Sequence, residues 1–334
     1  KARYVSVYMM TNGWVGFDEI EINGTTATKG TPSIAEAKYN KRGEGNLGYL
    51  APSEDLIKGY KDVCLLYHRV DRPGYNENEL LRYLAYVDTE GNIKDTLFDS
   101  FLFLQSGDLP SGKANNSAIT KADLDWMLDA IFADGKNLKA MEKVAGQIKQ
   151  ELGLDDDFKY GVGITIYKPT IGTDYGDYDG DGKSNVINNE ADRIAAIEAY
   201  MNDVEKRFKD AGFEHLELMG YYWYHEGIYV ENNDPEIIKQ TVKKCHAHGY
   251  DLFWIPWYNA PGVEFWKDCD IDVAVMQPSY AFDVAVGEGR LEQAANYIRQ
   301  YGMGIEIEIG SANLNDPVLR QRYIEYLMGG VQYG

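Results

Sequence analysis

Tyr160-Gly-Val-Gly-Ile-Thr-Ile-Tyr167 and His215-Leu-Glu-Leu-Met-Gly-Tyr-Tyr-Trp223 bracket a segment in which Ile194, Ile197, Met201, Val204 and Phe208 stand three or four apart. The two outer runs carry few polar side chains, as strands covered on both faces of a parallel sheet do. The spacing between them draws one apolar stripe down a helix. The reading is therefore strand, helix, strand, and it extends in both directions. Val63–Tyr67 and Phe98–Leu104 are earlier strands; Leu252–Trp257, Ile271–Met276 and Met303–Ile309 are later ones. Helical spacing recurs at Trp126, Leu128, Ile131 and Phe132, over Leu138 to Ile148, and at Leu291, Ala295, Ile298 and Tyr301. Asn189 with Asp192 resembles a capping box, and Asp234-Pro235 and Asp316-Pro317 each supply an N-cap and a first-turn proline.

Seven such units run from Asp62 to about Gly330, and Val331–Tyr333 reads as the start of an eighth strand. The expected fold is an α/β protein, a (β/α)8 TIM-type barrel over residues 61–334, whose usual size is ~250 residues. A doubly wound sheet is the rival, but it prefers a glycine-rich phosphate loop after an early strand, and none is present. Residues 1–60 break the rhythm. Tyr4–Met10 reads as a strand and the stretch to Gly48 as loops, together an N-terminal extension packed on the barrel. Leu81–Asp88 with the Glu90-Gly91 turn reads as a small inserted hairpin.

The 334 residues are 44% hydrophobic, enough for a large core. Lys and Arg number 33 against 53 Asp and Glu, a net charge of −20. Nucleic acid and anionic membrane surfaces both call for a basic face, so neither is an expected partner, and no stretch reads as a membrane span. Cys64, Cys245 and Cys269 are too few for a disulfide scaffold and read as packed thiols, with a Cys245–Cys269 bridge the alternative. No leader pattern follows Lys1, which leaves a cytoplasmic protein or one whose targeting segment has been removed. Several motifs fail on spacing. There is no Gly-x-Ser-x-Gly, Tyr229 stands where a zincin helix after His225-Glu226 needs its second histidine, and Gly182-Lys183-Ser184 lacks the upstream glycine of a phosphate loop.

Asp177, Asp179 and Asp181 alternate ahead of Gly182, like the first half of a calcium loop, but Asn188 replaces the closing glutamate. The loop is either a structural calcium site or a solvated acidic turn; no cofactor is otherwise required. Barrel active sites form where strands end. Those ends carry His68 and Arg69, Gln105, Tyr222 with His225 and Glu226, Trp257 and Tyr258, then Gln277 and Tyr280. In the seventh strand Glu306 and Glu308 alternate with Ile305, Ile307 and Ile309. Period two places both carboxylates on one face, toward the mouth, and the isoleucines on the other, toward the helices. Aromatic faces stack on sugar rings, while amides and carboxylates hold hydroxyls.

Glutamates after the fourth and seventh strands suit the two carboxylates that glycoside hydrolysis needs. The arrangement resembles the clan of retaining (β/α)8 glycoside hydrolases, and by that resemblance Glu226 is the acid/base and Glu308 the nucleophile. His225 stands where the clan usually has Asn. The chain from Asp62 also resembles the domain-of-unknown-function family 4855, through Leu97-Phe-Asp-Ser-Phe-Leu-Phe-Leu104, Gly220-Tyr-Tyr-Trp-Tyr-His-Glu226, Trp254-Ile-Pro-Trp-Tyr258, Met276-Gln-Pro-Ser-Tyr280 and Glu306-Ile-Glu308. That resemblance implies a glycosidase-like barrel in a bacterial, exported setting: secreted, periplasmic or cell-surface. The expected function is cleavage of a carbohydrate polymer or glycan, with Glu306, His225, Gln277 and Tyr280 positioning sugar. A non-catalytic carbohydrate-binding barrel and a metal-dependent hydrolase using the Asp177 loop are the alternatives.

Overall fold

The structure is a computed structural model that describes residues 47–51, 53, 55–72, 74–113, 118–287 and 289–333. The expected strand Tyr4–Met10 and the glycine-rich stretch up to residue 46 lie outside them. Seven strands form one sheet in chain order: β1 (Val63–His68), β2 (Ser100–Gln105), β3 (Tyr160–Ile166), β4 (Leu216–Trp223), β5 (Asp251–Trp254), β6 (Val273–Met276) and β7 (Gly304–Ile305). Every neighbouring pair is parallel. The apolar runs of the sequence are thus the strands, as their two-sided covering requires.

The sheet does not close. Among the described residues nothing pairs with the outer side of β7, and the expected (β/α)8 barrel is replaced by an open, curled, seven-stranded half-barrel. The reason lies in the last segment. Val331–Tyr333 is not strand but the end of helix, because the 3.6 period set by Asp316-Pro317 runs unbroken to Gln332. Arg322 and Tyr326, four residues apart, are both buried by that helix's inner face. The seventh strand is also shorter than the expected Met303–Ile309, and among the described residues no strand covers the isoleucine side of this segment: Ile305, Ile307 and Ile309 are 44%, 47% and 46% exposed. They face solvent rather than helices.

The helices are α1 (Glu77–Leu84), α2 (Lys121–Ile131), α3 (Asn137–Leu152), α4 (Glu190–Ala211), α5 (Asp234–Ala247), α6 (Gly289–Tyr301), α7 (Ser311–Asn315) and α8 (Pro317–Gln332). Asn189 caps α4 by accepting from the Asp192 N–H, and Asp316 caps α8 by accepting from Val318 and Leu319. At α5 the cap position is Asn233, one residue earlier than the sequence reading; the Asp234 carboxylate is engaged elsewhere. The hairpin is shorter than expected. Its strands are Ala85–Val87 and Ile93–Thr96, because Leu81–Leu84 completes α1. A second small hairpin, Asp174–Gly176 with Asn185–Val186, follows β3. The three cysteines are free thiols, with Cys245 and Cys269 buried. No helix among the described residues is long and apolar enough to cross a membrane.

Inside the curl, Leu102, Leu104, Tyr222, Phe253, Ile255 and Val273 pack together, joined by Val63, Leu65, Tyr224 and Val275. Leu50, Ile57 and Tyr60 are tied to the amino-terminal end of this core. Leu50 N–H donates to the Met303 carbonyl, Ile57 N–H donates to the Asp251 carboxylate, and the Tyr60 hydroxyl donates to Glu217 at 2.9 Å. Gly161 is required where Tyr60 enters, since a Cβ there would lie 2.7 Å from its ring.

Candidate functional site

Strand alternation decides which rim residues look inward. Tyr67 pairs in register with Leu104, a member of the interior cluster, and His68 pairs with Gln105. Tyr67 therefore faces the hollow, while His68 and Gln105 face the helices. His68 is fully buried, stacks on Trp126 of α2 at 5.9 Å, and is pushed by burial down to about 4, so its ring is neutral. The Gln105 side chain donates to the Ser106 and Asp108 carbonyls. Arg69 turns outward onto Asp71 at 2.8 Å. None of these three joins the acids.

The acids themselves converge. Burial raises the Glu226 carboxyl above the usual range; a hydrogen bond from Gln277 opposes the rise, and the Glu308 charge adds to it. Glu306 is pushed up to about 8, by burial first and then by the charges of Glu308 and Glu226. One of its carboxyl oxygens, Oε2, is buried without a hydrogen-bond partner. Glu308 is 8% exposed; its Oε2 accepts from the Tyr326 hydroxyl at 2.5 Å and from the Tyr280 N–H at 3.3 Å. Two donors on one oxygen stabilise negative charge there. Tyr67 feels Glu306, Glu226 and Glu308 together, after burial, and its hydroxyl is held neutral well above the usual tyrosine range. Since Tyr67 lies on β1 and Glu306 and Glu308 follow β7, the two unpaired edges of the sheet curl toward each other across this hollow.

The remaining candidates stand around that centre in different roles. Tyr222 lines it, held neutral by burial and by Glu226 and Glu306. Gln277 bridges Glu226 and the Ile255 carbonyl. Trp257 flanks it: a Cβ on Gly227, the residue after Glu226, would lie 3.1 Å from the indole and 2.8 Å from the Tyr229 ring. His225 is pushed down to about 3 by burial and the nearby charges of Lys168 and Arg193, and its neutral Nε2 accepts from the Lys168 N–H at 3.4 Å. Tyr280 backs Glu308 and donates its own hydroxyl to Glu325. Tyr258 is drawn to α6, where its hydroxyl donates to Gln293 and Arg290 lies 4.0 Å over its ring. Behind the Glu226 loop, the Lys168 ammonium and the Asp234 carboxylate form an ion pair with side chains 14% and 2% exposed, and Asp234 also accepts from the Tyr229 N–H.

Asp177, Asp179 and Asp181 gather their carboxylates within 4.8 Å of one another on the hairpin after β3. Asp177 accepts from the Gly180 and Gly182 N–H groups, Asp179 from Asp181 and Asp181 from Lys183, so each already folds the loop.

A family model described as Domain of unknown function (DUF4855) matches residues 62–334. The chain belongs to the DUF4855 family. No curated protein matches it. Within this DUF4855 domain, the sequence reading missed Tyr67 and Tyr326. Tyr67 had a signal, since Val63, Leu65 and Tyr67 share a face at period two. Tyr326 had none, because nothing in the α8 sequence tells that its hydroxyl meets a residue 18 positions earlier.

The DUF4855 domain carries a stability cost at Glu306 that can be measured. A carboxyl with a folded-state pKa near 8 and an unfolded value near 4.3 binds more protons when native, so stability falls as pH rises between the two and levels off above. We predict that Glu306→Gln stabilises the fold by about 3–4 kcal/mol at pH 7, with the gain vanishing below about pH 4. Urea unfolding of both proteins from pH 4 to 9 checks this; an equal difference at every pH contradicts it.

Proposed function

We propose that this DUF4855 domain is a glycoside hydrolase that cleaves a carbohydrate polymer or glycan with two carboxyl groups. The observation that carries the reading is the convergence of Glu226, three residues past β4, with Glu308, three residues past β7, beside Tyr67 inside the curl. The two differ in environment, and that difference assigns roles. Glu226 sits among aromatic rings with a raised pKa, which suits the general acid that protonates the glycosidic oxygen. Glu308 receives two hydrogen bonds on one oxygen, which suits the carboxylate that attacks the anomeric carbon or activates water. Tyr67 and Trp257 supply faces for sugar rings, Tyr222 packs in the core beside the acids, and Gln277 orients the acid.

The test is a hydrolysis screen of polysaccharides and oligosaccharides, read as new reducing ends. Release from at least one glycan, lost in Glu226→Gln and in Glu308→Gln, is the expected result. Binding without cleavage across the panel points instead to a carbohydrate-binding domain, and activity retained in both variants overturns the assignment.

A further inference from the structure

Three carboxyl groups share the hollow, yet among the described residues no Lys, Arg or His forms an ion pair with any of them. The basic side chains bordering it are committed elsewhere. Lys168 pairs with Asp234, Arg69 with Asp71, and Arg322 donates to the carbonyls of Tyr280, Val284 and Val286. Buried like charges without a counter-ion are costly, and one of them keeps a proton instead. That group is Glu306, whose unpartnered Oε2 lies buried beside the other two acids. The walls are tyrosine and tryptophan, whose ring faces attract cations as well as sugars. Acids at the centre, aromatic faces around them and, among the described residues, no basic side chain paired with the acids describe a receptor for a positively charged group.

We propose that the ligand of this hollow is an oligosaccharide containing a sugar with a free basic amine, an unacetylated hexosamine, whose ammonium group is received by Glu306 and Glu308. The inference rests on the glycan reading above and narrows its substrate class. A neutral sugar leaves the acids uncompensated, an N-acetylated one brings no charge, and an anionic one adds a fourth negative group. The ammonium takes the place of the proton on Glu306, so its binding expels that proton.

The experiment is calorimetric titration of the protein with three probes: the glucosamine tetramer, the N-acetylglucosamine tetramer and cellotetraose. At pH 6 and low salt the glucosamine tetramer is expected to bind at least ~10-fold tighter than the other two, and to weaken as salt is raised. Repeating the titration in buffers of different ionisation enthalpy should reveal release of close to one proton, which a merely packed ligand does not cause. Glu306→Gln, whose folding the urea series verifies, should abolish both the preference and the proton release. Equal affinity for all three, preference for the acetylated probe, or no binding by any overturns the proposal. Cleavage of neutral glycans without amine preference overturns it while the hydrolase reading stands; amine preference with no cleavage of any glycan does the reverse.

Discussion

Glu226→Gln lowers kcat on a cleaved glycan by at least about 100-fold while the protein stays folded. The size follows from the role. A positioned general acid is worth about 10²–10⁴-fold, and an amide has no proton of the needed acidity. The side chain is nearly the same shape, and Gln277 can hydrogen-bond an amide as it does the carboxyl, so packing is kept. The role also has a specific signature. An aryl glycoside whose leaving group departs without protonation should be turned over by Glu226→Gln with a much smaller loss than a natural glycan. Glu308→Gln should be equally slow on both, because the group that attacks or activates water is missing whatever leaves. Loss of the same size on both substrates in Glu226→Gln would remove it from the acid role.

Asp234→Ala has the largest expected effect on stability, about 3–5 kcal/mol. It leaves the Lys168 ammonium, 14% exposed, without its carboxylate, and breaking one side of a buried pair costs more than the pair contributed. It also orphans the Tyr229 N–H. Urea denaturation at neutral pH measures the loss, and Lys168→Met in the same chain should recover part of it. The pair joins the end of β3 to the start of α5 across the loop that carries His225 and Glu226. A stability loss below about 1 kcal/mol would mean that the loop is held by other contacts.

Much of this was legible in the residues. Strands covered on both sides write themselves as apolar runs, and each of the seven runs holds a strand, but the last, expected over Met303–Ile309, pairs only at Gly304–Ile305. The alternation of Glu306 and Glu308 with isoleucine gave the inward side of the extended segment that follows β7. What the sequence could not show were events between distant segments. Whether a curled sheet closes depends on an eighth strand finding both edges, and Val331–Tyr333 fits a strand as well as a helix end when read alone. The direction of His68 and Gln105 depended on register: one position earlier, Tyr67 and Leu104 look inward. Asp234 reads locally as a cap, but a buried ammonium competed for it and won.

The uncovered flank of β7 gives the −20 net charge a colloidal meaning. Beyond Glu306, whose N–H reaches the Met276 carbonyl, the ladder stops, and three isoleucines project beside a rim where another strand could be added. A net charge of −20 repels like copies in dilute buffer and so opposes such edge-to-edge contact. Concentrated salt shortens that repulsion to about 3 Å at 1 M and leaves the sticky seam undefended.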